Sequence, residues 1–284
     1  MFGFVLSYHI VLETSGKFRD LLNALLTPLP LLYARDLRDA IIGIGTTESV
    51  LIEIICSLTN HEIKAVKRTY KAVFKTKLED DIRSDTSDEF QELLITLLKA
   101  NRSEELVVRP DQVKEDARRL LYASKSISNT LCNPIYHPRF FQINTYKFIL
   151  GDHDQNPDEE FLHIITSRSI PQLAAIVQEF KTMTNQKLED YIWEEFSGDV
   201  AEALFTMVEI ARDGHPSYFA RLLHKSMSGL GTNDAQLIRI MVTRSEIDLH
   251  DIAAVFRKRY KEKLAAWIED DCYGEYKECL LCLL

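Results

Sequence analysis

Two short glycine-containing loops, each followed 40 residues later by an aspartate, are the residues of this chain best suited to hold a metal ion. The first loop, Gly43-Ile44-Gly45-Thr46, is followed by Asp85, and the second, Gly229-Leu230-Gly231-Thr232, by Asp271. Ca²⁺ prefers six to eight oxygen ligands in an adaptable geometry. Because glycine tolerates positive φ, alternate glycines can turn successive carbonyl groups towards an ion, and the aspartate adds up to two oxygens. Each pair therefore predicts a calcium site completed by water or by an outside ligand such as a lipid phosphate.

The two loops belong to a longer internal repeat that runs without a gap at an offset of 186 residues. Apolar positions correspond throughout, as Tyr70 does with Phe256. A third copy is offset by 110 residues and places Glu195 where the first has Asp85, and a fragment of a fourth begins at Glu13. A register of this length indicates one structural unit used several times.

A single loop of this kind has a simpler interpretation. Gly-x-Gly-Thr is also typical of a helix C-cap followed by an N-cap, and Asp85 could merely cap the next helix. The identical spacing of loop and acid in two copies favours the metal site over this alternative.

Each repeat shows the hydrophobic periodicity of five short helices, A to E, and no segment alternates like a strand, so the predicted class is all-α. In the first complete copy, helix A ends at Gly43, B begins near Thr46 as N-cap with Glu48 in its first turn, C follows Asn60, D contains Leu78 and Ile82, and E follows a polar break at residues 84–87. If A pairs antiparallel with B and D with E, the A–B and D–E turns lie at one end. That arrangement brings the glycine loop beside Asp85.

Composition bounds the class of protein. The chain has 284 residues, 46% of them hydrophobic, which is enough for a packed core, and it has no run long enough to span a bilayer. The apolar N-terminus lacks a basic region, so no secretory signal is predicted. Five scattered cysteines fit a reducing cytosol, and Cys279 with Cys282 are predicted as buried small residues rather than zinc or redox ligands.

Net charge and motifs exclude other functions. A formal net charge of −9 argues against nucleic-acid binding and against direct attraction to an anionic membrane. Contact with phosphate groups would therefore need a cation between the protein and the phosphate. The sequence has no nucleophile elbow, no Gly-Lys phosphate-binding loop and no His-Glu-x-x-His motif, and we predict that it is not an enzyme.

The loops with their distant acids, together with Arg244-Ser245-Glu246-Ile247-Asp248 and Thr59-Asn60-His61-Glu62-Ile63, resemble repeats two and four of the annexin family. The resemblance covers nearly everything from Glu13 to Leu284 apart from one insertion. It implies an all-α, annexin-like array of five-helix repeats forming a curved disc, whose convex face binds anionic, phosphatidylserine-like phospholipid through Ca²⁺. It also implies a cytoplasmic protein that is peripheral on membranes when calcium rises, with protein partners besides the membrane.

The resemblance divides the chain into 1–30, a remnant of repeat one; 31–101, repeat two; 113–212, repeat three with an insertion near 126–153; and 213–284, repeat four. The calcium ligands that it implies are Ile41, Gly43, Gly45 and Asp85, and Met227, Gly229, Gly231 and Asp271, with weaker positions at Thr46, Glu48, Thr232 and Asp234.

Three departures from the family pattern matter. Repeat three keeps Glu195 but has His153, Gln155 and Asn156 at the loop positions, so we expect it to be silent. Most of repeat one is absent, which would uncover apolar surface on repeat four and favour self-association. Leu58 replaces an arginine that the other repeats keep, which weakens any ion-conduction hypothesis. The alternative function is a calcium-insensitive protein-interaction scaffold on the same fold.

Overall fold

The computed structural model describes residues 13–43, 45–122, 157–229 and 231–284, and within them the chain forms sixteen α-helices and no strand. The all-α prediction is therefore confirmed. The helices are α1 (Gly16–Leu25), α2 (Leu29–Ile41), α3 (Glu48–Ile55), α4 (Asn60–Phe74), α5 (Leu78–Asp85), α6 (Asp88–Leu98), α7 (Pro110–Tyr122), α8 (Pro157–Ser167), α9 (Ile170–Thr184), α10 (Leu188–Glu195), α11 (Gly198–Asp213), α12 (His215–Met227), α13 (Asp234–Arg244), α14 (Leu249–Tyr260), α15 (Leu264–Asp271) and α16 (Gly274–Leu281).

The backbone repeats with the offsets of the sequence. The third helix of each five-helix set ends in a left-handed residue, at Lys75, Asn185 and Lys261, with φ of 63°, 59° and 66°. The turn into the fifth helix is left-handed as well, at Gly16, Asp88, Gly198 and Gly274 (φ of 61°, 53°, 60° and 58°). Glycine, which has no Cβ, suits this turn, and aspartate is among the side chains that tolerate it. Because α1 shares the turn, it corresponds to the fifth helix of its own repeat.

Corresponding apolar positions form the core. Tyr70, Phe180 and Phe256 are fully buried at equivalent places in the three repeats. Ile82, Ile192 and Ile268 are likewise fully buried. The periodicity read from the sequence therefore marks the inward faces of the helices.

Two details of the helix boundaries differ from the sequence prediction. The N-cap of α3 is Thr47 rather than Thr46, and its side chain makes no capping hydrogen bond. The helix predicted to follow Asn60 begins at that residue, with Thr59 as N-cap and Glu62 completing a capping box. Capping chemistry therefore fixes the start of α4, whereas Thr46 is used elsewhere.

The helices fall into two compact units. One combines the chain up to Asp85 with Asp213–Leu284, and the other is Thr86–Arg212. In the first unit, α2 packs on α4, α12 on α14, and the remnant α1 on α13 and α16. In the second, α7 packs on α8 and α9, and α6 packs on α8. Helix α1 thus covers part of the helices that follow residue 213.

Other predictions are corrected or fall outside the described residues. Cys272 is buried and Cys279 partly so, but Cys282 is exposed, so the prediction that Cys279 and Cys282 are both buried is wrong at Cys282, which lies in the last turn of the chain. The insertion at 126–153, with His153, Gln155 and Asn156, lies outside the described part. Among the residues that the structure describes, no helix has both the length and the apolar character needed to cross a membrane.

Candidate metal centres

The two glycine loops are closed by the same backbone hydrogen bonds. At the end of α2, Ile42 N donates to Arg38 O (2.9 Å), and Thr47 N reaches back across the loop to Ala40 O (2.9 Å). At the end of α12, the equivalent bonds run from Ser228 N to His224 O (2.8 Å) and from Asn233 N to Ser226 O (2.7 Å). Each loop is therefore held as a tight connection between two antiparallel helices.

Within the loops, most glycines adopt conformations that favour glycine. Gly45 and Gly231 have φ of 90° and 89°, and Gly43 has φ of 145°. Gly229 does not have positive φ, so the expectation of two such glycines holds in the first loop only. A Cβ placed at any of the four would meet no atom within 4 Å, so all four glycines face open space that a ligand can enter.

Each loop meets its distant aspartate, as the pairing of helices predicted. Asp85 is the last residue of α5, and the Thr46 hydroxyl donates to its Oδ2 and lies 3.1 Å from its backbone oxygen. Asp271 is the last residue of α15, and the Thr232 hydroxyl donates to its Oδ2 in the same way. The loop threonine therefore fixes one carboxylate oxygen beside the glycines in both repeats.

The chemistry of the donors fits calcium better than a transition metal. Across the described residues, no group of three or more His, Cys, Asp and Glu side chains is placed to hold a metal ion. Each centre offers one strong carboxylate, so most of its ligands must be backbone carbonyls and outside oxygens. Ca²⁺ accepts such a set, whereas Zn²⁺ prefers nitrogen and sulfur ligands.

Both centres lie at the same end of their unit. The His215 ring at the start of α12 lies 2.9 Å from Ser57 O, just beyond the end of α3. Correspondingly, the side chain of Tyr33 near the start of α2 lies close to that of Thr243 near the end of α13. Since α2 and α12 run away from these contacts, and α3 and α13 run towards them, the two connecting loops share the opposite end.

The weaker positions differ between the repeats. Glu48 and Asp234 each lie in the first turn of the helix after the loop. The Asp234 carboxylate, however, has a cation nearby, because Lys17 Nζ from the remnant helix α1 lies 3.8 Å away. Burial, followed by the charges of Asp234 and Asp271, raises the pKa of Cys272 to about 11, so the thiol stays protonated between them. Repeat four therefore has a second carboxylate, Asp234, close to its candidate centre, but the ammonium group of Lys17 already offsets the charge of this carboxylate.

In repeat three only the acid can be placed. Glu195 ends α10 as Asp85 ends α5 and Asp271 ends α15. The loop that would face it lies outside the described residues.

A buried charged cluster in the same unit was not predicted from the sequence. Glu53 of α3 accepts hydrogen bonds from Arg239 and from Gln236 of α13, and Asp36 lies 3.5 Å from Arg239. Burial raises the pKa of Asp36 to about 6, although Arg239 opposes this. The available signal was a glutamate and an arginine at equivalent positions on helix faces that are otherwise apolar.

The arginine that Leu58 replaces makes local ion pairs in the other repeats. Arg168 binds Asp116 with two hydrogen bonds of 2.6 and 2.9 Å. Arg244 binds Asp248 with bonds of 2.7 and 2.6 Å and lies over the Phe219 ring. An uncharged Leu58 therefore removes one such pair from repeat two.

Comparison with known proteins identifies relatives along the whole chain. The sequence profile of the annexin family matches residues 33–97, 155–207 and 218–283. Annexin A5 of Cynops pyrrhogaster is 37% identical over 284 residues, which cover 100% of this chain and 79% of the relative. Annexin A6 of Rattus norvegicus is 37% identical over 270 residues, but the chain spans only 36% of its length.

Solved structures give the same result. A structure of annexin III has a TM-score of 0.85 and 32% identity, covering 98% of this chain and 78% of the other. Chicken annexin V has a TM-score of 0.80 and 36% identity, covering 98% and 79%. A calcium-bound annexin (Sm)1 has a TM-score of 0.81 and 29% identity, covering 98% and 76%.

Proposed function

The chain belongs to the annexin family, and on this premise we propose that it is a non-enzymatic protein that binds anionic phospholipid membranes in a calcium-dependent manner. In this proposal the calcium ligands are the carbonyls of Ile41, Gly43 and Gly45 with Asp85, and those of Met227, Gly229 and Gly231 with Asp271. Thr46 with Glu48 and Thr232 with Asp234 form weaker positions. The lipids are phosphatidylserine-like, and the protein is cytoplasmic and peripheral on membranes when calcium rises.

The observation that carries the proposal is the contact between loop threonine and distant aspartate, which occurs in both repeats. It holds a carboxylate oxygen beside an exposed, glycine-rich turn whose carbonyls are not used by helices. Such a centre cannot complete the coordination of Ca²⁺ from the protein alone. A lipid phosphate supplies the missing oxygens, and membrane binding and calcium binding then depend on each other.

Because the two calcium centres lie at one end of a unit, weak calcium affinity at each is sufficient for membrane binding. With one carboxylate each, the sites resemble extracellular calcium modules, whose dissociation constants are about 10⁻⁴ M or weaker. When one site has engaged a membrane, the second binds at a raised effective concentration. The pair then responds to calcium more steeply than either site alone.

Vesicle pelleting tests the proposal. The protein should pellet with phosphatidylserine vesicles in calcium, and remain in solution with phosphatidylcholine vesicles or with a chelator. Asp85→Asn and Asp271→Asn should each raise the calcium requirement, and the double variant should not pellet. A matched control is Asp80→Asn with Glu269→Gln, which removes two exposed carboxylates from the same helices, α5 and α15, but not from their ends.

The calcium-insensitive scaffold predicts a different result from the same experiment. Under that alternative the wild-type protein does not respond to calcium, and the double variant behaves like the control. Undiminished pelleting of the double variant would also reject the two assigned centres.

A further inference from the structure

The net charge of −9 conceals two strongly basic segments in the first unit. From Asn60 to Lys77, covering α4 and the turn after it, the chain has six Lys or Arg and one Glu. From Leu249 to Lys263, covering α14 and its turn, it has five Lys or Arg and two acids. The equivalent segment of repeat three, residues 170–187, has only two Lys and one Glu.

On α4 the cations form a straight row. Lys64, Arg68, Lys71 and Lys75 follow one another at steps of four, three and four residues, which places them on one side of the helix over about 16 Å. We call these four residues the basic row. All four are exposed, and none forms an ion pair with a described residue, whereas Lys67, outside the row, pairs with Glu79.

The chemistry of the row distinguishes between classes of partner. Lysine is depleted at protein–protein interfaces, which normally have an apolar centre. The large apolar residue that α4 exposes, Val73, projects from a different side of the helix, about half a turn from the row. A line of cations without apolar or aromatic side chains matches contacts to phosphate, which fix a nucleic acid without reading its bases. The lack of an aromatic side chain in the row also disfavours single strands, which bind by base stacking.

We propose that the basic row binds the phosphate backbone of a nucleic-acid duplex, without sequence preference and without calcium. Repeat four extends the same chemistry, because Arg257, Lys261 and Lys263 occupy the positions of Lys71, Lys75 and Lys77. The distribution of charge, rather than its sum, controls such binding. The net-charge argument against nucleic acid therefore does not apply to this surface.

The row shares no residue with the calcium centres. Helix α4 begins just after Ser57, which contacts His215 at the end of the unit opposite to the two loops, and its other end packs against Arg38 in the last turn of α2. None of its residues is a proposed calcium ligand. Duplex binding and calcium-dependent membrane binding can therefore fail independently.

Fluorescence anisotropy with a labelled DNA duplex of about 20 base pairs, in a calcium chelator, tests the proposal. If four phosphates are contacted, the slope of log K against log salt should be about −3.6, and affinity should fall roughly 100-fold between 50 and 200 mM salt. The variant Lys64→Gln, Arg68→Gln, Lys71→Gln should reduce the slope to about −1. The control Lys114→Gln, Lys181→Gln, Lys187→Gln removes three exposed charges from the second unit and should leave the slope unchanged. Asp85→Asn with Asp271→Asn should also bind the duplex as the wild type does.

Three results would overturn the proposal. The wild type could show no salt-dependent binding to the duplex, or the control could lose as much affinity as the row variant. Thirdly, calcium-free binding to phosphatidylserine vesicles that is lost in the row variant, without duplex binding, would assign the row to a membrane instead. Circular dichroism of each variant, with unchanged helix content, separates loss of binding from loss of fold.

Discussion

Glu53 and Arg239 occupy equivalent positions in two repeats, 186 residues apart, and bind each other with two buried hydrogen bonds. Arg239 Nε lies 2.8 Å from Glu53 Oε1, and Nη2 lies 3.0 Å from Oε2. Gln236 Nε2 donates to the same carboxylate at 2.8 Å. This ion pair joins the two stretches of the first unit. The same position of the repeat is a glutamate in one copy and an arginine in the other.

Removing one partner of this pair should be strongly destabilising. Glu53→Gln leaves the Arg239 guanidinium buried with only Asp36 nearby, and should lower the free energy of unfolding by about 3 to 5 kcal/mol in urea titrations. The control is Glu105→Gln, which breaks an ion pair with Arg109 that is more than half exposed and should cost less than about 1 kcal/mol. Equal effects of the two changes would contradict the importance of burial.

Asp36 should make stability depend on pH in an unusual direction. Burial raises its pKa from 3.8 to about 6, so the folded protein keeps a proton that the unfolded chain releases. The contribution of protonated Asp36 to the free energy of unfolding is fully present below about pH 4 and is lost as the pH rises through about 6. Asp36→Asn should therefore gain stability relative to wild type between pH 4 and 6, by at most about 3 kcal/mol. A constant difference across this window, in denaturant titrations at each pH, would refute the shifted pKa.

Lys17 should weaken calcium binding at the minor position of repeat four. Its ammonium group lies 3.8 Å from Asp234 and opposes a second cation there. Because the Lys17 side chain is about half exposed, the effect is modest. Lys17→Met should lower the calcium concentration for half-maximal vesicle binding by a factor of about two to five. Arg19→Met, on the same helix, is the control, and an equal shift there would indicate a general charge effect.

Repeat three should contribute nothing to calcium-dependent binding. Glu195 has the position of an acidic ligand, but the sequence places His153 and Gln155 where the other loops have glycine. Glu195→Gln should leave the pelleting curve unchanged within error. A shift as large as that of Asp85→Asn would mean that the acid has found other co-ligands.

The chain should self-associate through the exposed apolar end of α1. The remnant α1 buries Leu21 and Ala24 against repeat four, but leaves Leu25 and Leu26 more than a third exposed. Light scattering at several concentrations without calcium should show growth in mass with concentration. A stable monomer that binds little hydrophobic dye would show that the exposed apolar surface is covered by another part of the chain.

Much of the fold follows from the sequence because it depends on local patterns. Apolar positions such as Tyr70 and Phe256 recur with helical spacing, and the pairing of short helices required the glycine loop to meet Asp85. The features of the site that could not be predicted from the sequence depend on tertiary contacts. Thr46 leaves its predicted N-cap position because its hydroxyl is taken by Asp85, and Asp234 gains Lys17 from a distant helix. No local pattern contains such partners.

The division of the first unit into two distant stretches of chain has a consequence for synthesis. Its halves are separated by the contiguous stretch Thr86–Arg212, and the ion pair of Glu53 must wait until Arg239 has left the ribosome. The intervening unit can fold first, since domains generally fold as soon as their own residues emerge. Once folded, it replaces a long flexible loop by a compact body, which changes the entropy of closing the discontinuous unit. The order of folding is therefore expected to run from the middle of the chain outwards, with the contacts between the two stretches of the first unit, such as the Glu53–Arg239 ion pair, among the last to form.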